Sequence, residues 1–542
     1  MTDTALSQKK LQLPRPQVVL AVLIALLLLA FLVVPIVNVI FVAFQDSTTG
    51  EFTLINFVDF FRTSLFVESF WNSIYVAGMS VVIASIIAIP LSYFTTRFNF
   101  AGAALIQSLG FIPLIMPPFV GAVAMLLLFG PNGSVNLILD DWFGVNLPIM
   151  EGLNGVILVQ SIHYFPFILI NLSASLQNID RTMEESAQNL GASGFRLFRR
   201  IVFPLSLPGY VAGASLVFIK IFDGLGTPLL LNVNTMLAPQ GYLRIASIGI
   251  DDPMGYVTSV ILVVFSLGSL WIALLATKGK EFATVQKGGG GLSKRDLRPW
   301  EKLGCYFVVI LILLLVLSPH VGLSLLSLGT VWSYAVLPDG YTLDHYKEIF
   351  ATTPQFVTNT LLYASIAGVI DVVIATAIAY IVMRTKIVGR QWFDYVAMSA
   401  VAIPGLVLGI GYLRTFAAYD VPFTGQPVAS WWVILVIALS IRRLPYALRA
   451  CSAGLQQVSV SLEESAANLG ARPVRAVRRI VVPLMMGAIL AGFVTSFATA
   501  AVELSTTIML VSAESDAPLS YGMYIYMQTA AGRGPGAARG IL

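Results

Sequence analysis

Cysteine and histidine are nearly absent, with two of the first and three of the second among 542 residues. Cys305 and Cys451 lie far apart and show no metal-type spacing, so the chain offers neither a disulfide framework nor a zinc site. Charge is scarce as well: 11% of residues are charged against 57% hydrophobic, which excludes an average soluble domain. No G-x-x-x-x-G-K-[ST] phosphate loop is present. The tract GGGGLSK at 288–294 has the wrong spacing and no strand before it, so the chain does not itself bind ATP. No metal-ligand cluster, nucleophile triad or paired-carboxylate arrangement suggests an embedded enzyme. The alternating segments of about ten residues that build a transmembrane β-barrel are missing too.

Long apolar runs fill the space that charge leaves. Val18–Phe44 and Leu303–Leu317, with their flanks, are long enough to cross a hydrocarbon core of ~30 Å, which takes about 20 helical residues. The fold class is therefore an all-α polytopic membrane protein. The first run exceeds a signal-peptide core and is followed by no small-residue cleavage site, so it reads as a retained span. Spans are expected near 17–44, 70–95, 103–130, 152–177, 207–231 and 256–276, then near 303–329, 355–383, 393–417, 428–449 and 484–511. Between the two sets, Lys278–Arg298 carries six basic residues and the run Gly288–Gly291, the composition of a water-exposed linker.

The net charge of +4 is no nucleic-acid signal; its distribution is what informs. With the N-terminus inside, 25 of the 32 Lys and Arg residues fall in or beside cytoplasmic segments, and the outer loops carry mainly Asp and Glu. That is the positive-inside bias of a cytoplasmic membrane protein.

One phrase occurs twice. Residues 184–205 read EESAQNLGASGFRLFRRIVFPL and residues 463–484 read EESAANLGARPVRAVRRIVVPL, identical at 15 of 22 positions. The duplication extends further. Asn72 matches Asn359, Arg97 matches Arg384, Pro117 matches Pro404, and Phe52-Thr53-Leu54 matches Tyr341-Thr342-Leu343, while Pro166 matches Pro445 and Glu185 matches Glu464 at a shorter offset. Six spans per half is an even number, so the halves run parallel, related by an axis along the membrane normal. On this arithmetic the partner of span 256–276 begins near 535, so a twelfth span is expected to be cut short at Leu542. The expected domains are a first core at 1–277 with its elbow at 181–204, a linker at 278–298, and a second core at 299–542 with its elbow at 460–483.

The repeated phrase has its own local logic. Met183–Leu190 is a helix-forming run ended by Gly191, a residue that tolerates the left-handed conformation common just past a helix end. A second helix, Phe195–Val202, then leads to Pro204. Glu184 and Glu185 fall in the first turn, where the helix dipole favours negative charge. Arg196, Arg199 and Arg200 are placed to meet lipid phosphates or an acidic partner. The result is a helix-turn-helix elbow at the inner surface.

The pattern Glu-Ser-Ala-x-x-x-Gly, nine residues, then Ile-x-x-Pro resembles the EAA loop of bacterial ABC-importer permeases. Glu185, Ser186, Ala187, Gly191, Ile201 and Pro204 carry it once, and Glu464, Ser465, Ala466, Gly470, Ile480 and Pro483 carry it again. Both copies depart from the family phrase by Ser as its second letter, one small residue for another. The resemblance implies two tandem six-helix cores of a type I importer. It also implies two copies of a cytoplasmic ABC ATPase that bind ATP and magnesium in place of this chain, and a periplasmic or lipid-anchored solute-binding protein. Coupling to the ATPase would fall to Glu185, Ser186, Ala187 and Gly191, and to Glu464, Ser465, Ala466 and Gly470. The fused layout, FGPNGSVN at 129–136 and ELSTTIML at 503–510 look like the ferric-iron importer branch, whereas 223–245 is similar to permeases for 2-aminoethylphosphonate.

Ionisable residues inside spans are costly unless paired or hydrated. Lys220 and Asp223 are three apart and can face each other on one helix side, and Glu503 sits at nearly the equivalent depth of span 11. In this family the fifth helix of each core borders the path, so Asp223, Glu503 and Lys220 are candidates to line it. The plainer alternative is a self-neutralised Lys220–Asp223 pair and a structural Glu503. Asp371 is an isolated charge with no evident partner. Pro113, Pro117, Pro118 and Pro404 interrupt spans 3 and 9 and are kink sites, whether for gating or as packing irregularities. His163 and Arg442 occupy matching positions, the first expected as a core hydrogen-bonder and the second at the interface. The rival class is a six-plus-six secondary transporter driven by an ion gradient, which gives no reason for duplicated elbows.

Overall fold

A computed structural model describes residues 16–47, 49–179, 181–277, 294–422 and 425–542. Among these residues helices joined by loops make up the fold, and the only strands are two of two residues each, beside isolated bridges. Eight helices among the described residues are long and apolar enough to cross a membrane, and a ninth if the bent pair Pro473–Leu484 and Met486–Ala501 is one span. Most of the expected linker, 278–293, lies outside the described residues.

The departures from the expected spans have identifiable causes. Span 3 divides into Ala103–Leu109, a short 3-10 turn at Ile112–Leu114 and Pro118–Phe129, because Pro113 and Pro117 remove backbone donors in succession. Span 9 divides at Pro404 into Gln391–Ser399 and Gly405–Phe416 for the same reason. Span 10 is a full helix, Trp432–Gln457, but Arg442, Arg443 and Arg449 lower its hydropathy. Span 11 bends by 72° between Leu484 and Met486 and ends at Ala501, short of the expected 511. Arg533–Ile541 is helical where a twelfth span is expected to begin.

Two compact units emerge from the contacts: Met1–Pro35, Ala364–Val401 and Leu439–Ala500 form one, and Ile36–Tyr363, Ala402–Ala438 and Ala501–Leu542 form the other. In the larger unit, Ser64–Arg97 packs on Gly152–Gln177, which packs in turn on Phe203–Phe222. Small residues let these backbones approach, as lipid supplies no hydrophobic drive between helices. A Cβ on Gly213 would lie 2.7 Å from Ile168 Cα, and Ser92 and Ser173 bond across the contact at 2.9 Å. The smaller unit repeats the device: a Cβ on Gly492 would lie 3.3 Å from Ala447 Cα, and one on Gly454 would overlap Ala488 Cβ. Large apolar side chains such as Trp71, Phe41, Trp271 and Leu314 remain on the outside, as expected where the solvent is hydrocarbon.

Candidate functional site

Both repeated phrases fold into the same elbow. Arg181–Asn189 and Val460–Asn468 are nine-residue helices, followed by Gly191 at φ +85° and Gly470 at φ +83°. The Gly191 N–H donates to the Gln188 carbonyl and the Ala192 N–H to the Ala187 carbonyl, both at 2.9 Å. Gly470 to Ala467 and Ala471 to Ala466 repeat these bonds at the same 2.9 Å, the two-bond closure that ends a helix on a left-handed residue. A Cβ at either glycine would meet nothing within 4 Å, so conformation rather than space demands glycine here. The expected second elbow helix does not stop at Pro204. It runs on as Gly194–Phe222 through a π turn at Phe198–Val202, and Val477–Val481 is its counterpart before Pro483. A π turn shifts the hydrogen-bond ladder by one residue, which is where a residue lacking an N–H is tolerated.

Each elbow has an inner and an outer side. Ala187 and Ala466 are buried, whereas Glu185, Ser186, Glu464 and Ser465 are exposed. Leu190 and Leu469, just before the glycines, are 90% and 89% exposed, with Phe195 and Val474 beside them in sequence also open. A carboxylate with apolar knobs is therefore presented twice, the composition of a partner surface. Glu184 and Glu463 turn the other way. Arg97 Nη2 lies 2.6 Å from Glu184 Oε1, and Arg384 Nε lies 2.8 Å from Glu463 Oε1.

Within the membrane region, Asp223 and Glu503 are buried and drawn to one stretch of backbone. The Gly405 N–H donates to Asp223 Oδ2 at 3.3 Å, and the Gly405 carbonyl accepts from Thr506 Oγ1 at 3.1 Å. The Thr506 N–H donates to Glu503 Oε1 at 2.8 Å. Gly405 opens the Gly405–Phe416 helix directly after the Pro404 break, so Asp223 sits on free amides that carry partial positive charge. Lys220, one turn before Asp223, is half-buried. Gly226 keeps this region tight, since a Cβ there would lie 2.8 Å from Leu504 Cδ2 and 3.0 Å from Phe119 Cβ. Arg442, expected at the interface, is buried, and so is His163, set edge-on to Tyr164 at 4.5 Å. Asp371 has a partner after all: Ser440 Oγ donates to its carboxylate at 2.6 Å.

The family model described as binding-protein-dependent transport system inner membrane component matches residues 80–279 and again 306–538. The chain belongs to that family. It is a multi-pass inner-membrane permease without catalytic chemistry of its own, ATP hydrolysis residing on a separate ATPase. This permease is similar to the ferric transport system permease protein FbpB of Actinobacillus pleuropneumoniae, 26% identical over 506 residues, or 92% of this chain and 72% of the relative. It is also similar to the putative ferric transport system permease protein FbpB 1 of Haemophilus influenzae, 28% identical over 509 residues, 91% of this chain and 77% of the relative. The molybdenum transport system permease protein ModB of Haemophilus influenzae matches 157 residues at 35% identity, 28% of this chain and 68% of that one. Two solved chains of a bacterial alginate ABC transporter match at 18% and 16% identity, with TM-scores of 0.39 and 0.40, covering 49% and 48% of this chain and 96% and 93% of theirs.

The permease's first elbow has a feature that the repeat does not foretell. Phe98–Asn99 pairs in parallel with Arg295–Asp296, the end of the linker. Lys294 Nζ donates to the Thr95 carbonyl at 2.7 Å, Asn99 Nδ2 to Asp296 Oδ1 at 2.9 Å, and the Tyr306 hydroxyl to the Ala101 carbonyl at 2.9 Å. Between this strap and the elbow lies a cleft of about 870 Å³, lined by Arg97, Lys294, Arg295 and Arg298 on the basic side and by Glu184 and the exposed Glu185 at the elbow. The repeat matches Arg97 with Arg384 but gives neither arginine a role. The available signal is that each arginine has a counterpart charge in the first glutamate of the nearest elbow phrase.

Proposed function

We propose that this permease is the conduit of an ATP-driven importer, with one copy of a cytoplasmic ABC ATPase seated on each elbow and an external binding protein delivering the cargo. The observation that carries the reading is the elbow itself: two copies of one glycine-closed turn, each offering an exposed glutamate and an exposed leucine. Glu185, Ser186, Leu190 and Gly191 would make the first docking surface, and Glu464, Ser465, Leu469 and Gly470 the second, with Ala187 and Ala466 packing each turn from within. Closure of the ATPase pair on ATP would draw the elbows together and open the path outward; hydrolysis would reset it. The charge distribution favours an N-terminus and both elbows on the cytoplasmic side. Arg196, Arg199 and Arg200, with Phe195, line a shallow basic recess suited to lipid phosphates.

Ferric iron is the cargo this reading favours, because relatives named for ferric transport align along nine-tenths of the chain. Asp223 and Glu503, with Lys220 near the first, would then flank the path, hard oxygen donors suited to a hard cation. The test is uptake into proteoliposomes holding ATP, with permease, ATPase and ferric-iron-loaded binding protein. Uptake should continue when a protonophore collapses the proton gradient at constant internal ATP. Uptake of 2-aminoethylphosphonate in place of iron would overturn the cargo, and sensitivity to the protonophore would overturn the ATP-driven class in favour of an ion-coupled carrier.

A further inference from the structure

The two Arg–Glu pairs under the elbows belong to a larger duplicated arrangement. Arg97 ends the 34-residue helix Ser64–Arg97, and Arg384 ends the 31-residue helix Pro354–Arg384. One turn before each arginine stands a tyrosine, Tyr93 and Tyr380, and the Tyr380 hydroxyl donates to Glu463 Oε2 at 3.2 Å. Arg384 also donates through Nη2 to the carbonyls of Val458 at 2.5 Å and Leu455 at 3.1 Å. The pairs are alike in burial, the arginines 10% and 11% exposed and the glutamates 16% and 14%. Such charges are shielded from solvent ions, unlike a surface pair.

The opposite ends of the same two helices are occupied in a matching way. Asn72 Nδ2 donates to the Thr235 carbonyl at 2.9 Å, and Ser73 Oγ accepts the Leu237 N–H at 2.8 Å. Asn359 Nδ2 donates to the Ser515 and Ala517 carbonyls at 2.8 and 3.1 Å, and Thr360 Oγ1 accepts the Leu519 N–H at 2.6 Å. The segments so held, 232–237 and 511–519, come after the loops that begin at Asp223 and Glu503. An α-helix rises 1.5 Å per residue, so Ser64–Arg97 separates its two attachment points by roughly 36 Å.

We propose that Ser64–Arg97 and Pro354–Arg384 are transmission struts, each latched to its elbow by Arg97–Glu184 or Arg384–Glu463 and gripping the loop beyond the path residues through Asn72–Ser73 or Asn359–Thr360. Arg97 and Arg384 are positioning residues: they touch no cargo and act by making the elbow and the strut move as one body. The outward Glu185 and Glu464 receive the push, and the inward Glu184 and Glu463 pass it on. The inference rests on the docking of an ATPase at the elbows, and the experiment separates the two.

The permease is reconstituted in nanodiscs with its ATPase, and hydrogen–deuterium exchange is compared with and without trapping by ATP and vanadate, which needs no cargo. Trapping should slow exchange at the elbows, 184–194 and 463–473, and change it at 232–240 and 513–520. In R97Q/R384Q the elbow response should persist while the response of the two distant segments falls at least fivefold. The charge swaps R97E/E184R with R384E/E463R should restore it. A distant response equal to wild type in R97Q/R384Q overturns the proposal. So does loss of the elbow response in that variant with no rescue by the swap, since the pairs would then merely hold the fold. Absence of any elbow response in the wild type removes the docking reading, and the latch with it.

Discussion

At the scale of single residues, glycine and carboxylate are the two types whose replacement discriminates most. Gly191 and Gly470 have open space around the missing Cβ, so alanine there meets no clash and only the left-handed backbone resists it. Each Gly→Ala change should cost about 1 kcal/mol of local turn stability, while proline, whose ring fixes φ near −65°, cannot adopt the turn. Gly191→Ala with Gly470→Ala should therefore keep most ATP-driven uptake, and the double proline variant should abolish it without lowering the yield of folded protein. Asp223→Asn keeps an oxygen for the Gly405 N–H and removes the charge. Its expected signature is unchanged thermal stability with iron uptake lowered about tenfold, read as initial rates in proteoliposomes. A fall in stability without a fall in rate would assign Asp223 to the helix start alone.

At the scale of elements, helix contacts are set by what is small. Gly213→Leu or Gly492→Leu would drive a branched side chain into the neighbouring backbone near Ile168 or Ala447. Overpacking of this kind costs typically 1–3 kcal/mol, which should appear as a lower midpoint in a thermal scan in detergent, with Gly268→Leu unchanged because nothing lies within 4 Å of its Cβ. How far the sequence reveals these elements depends on the same physics. Helices such as Gly152–Gln177 are legible within a few residues because hydrocarbon demands length and apolarity. The breaks at Pro113, Pro117 and Pro404 are legible only as kink sites, since a proline in an apolar run marks a bend or a break equally well. The π turns leave no trace in composition, so Pro204 reads as a stop. At the elbows, the left-handed glycines are readable from the phrase. The partner of Asp371 is not, because Ser440 lies far along the chain and a serine in a span signals nothing by itself.

At the scale of the whole molecule, the repeated phrases are close copies, yet the first elbow has a strap beside it made from Lys294–Asp296. If the strap helps to shape the first docking surface, Lys294→Ala with Arg295→Ala should weaken ATPase contact there and spare the second. Cross-linking from a cysteine at Gln188 should drop several-fold in that variant, and from a cysteine at Ala467 it should hold. Equal yields at both sites would show that the strap merely closes the loop.

The stitch of main-chain pairing between Phe98–Asn99 and Arg295–Asp296 also means that the polypeptide is not the only bond joining residues up to 277 with those from 294 onward. Together with Tyr306 on Ala101, it fastens the beginning of the Pro299–Leu328 helix to the end of Ser64–Arg97. A protease site engineered at 285 should therefore yield two fragments that migrate as one species on a native gel and part only in denaturant. Two separately encoded polypeptides carrying these same residues would find each other without a tether.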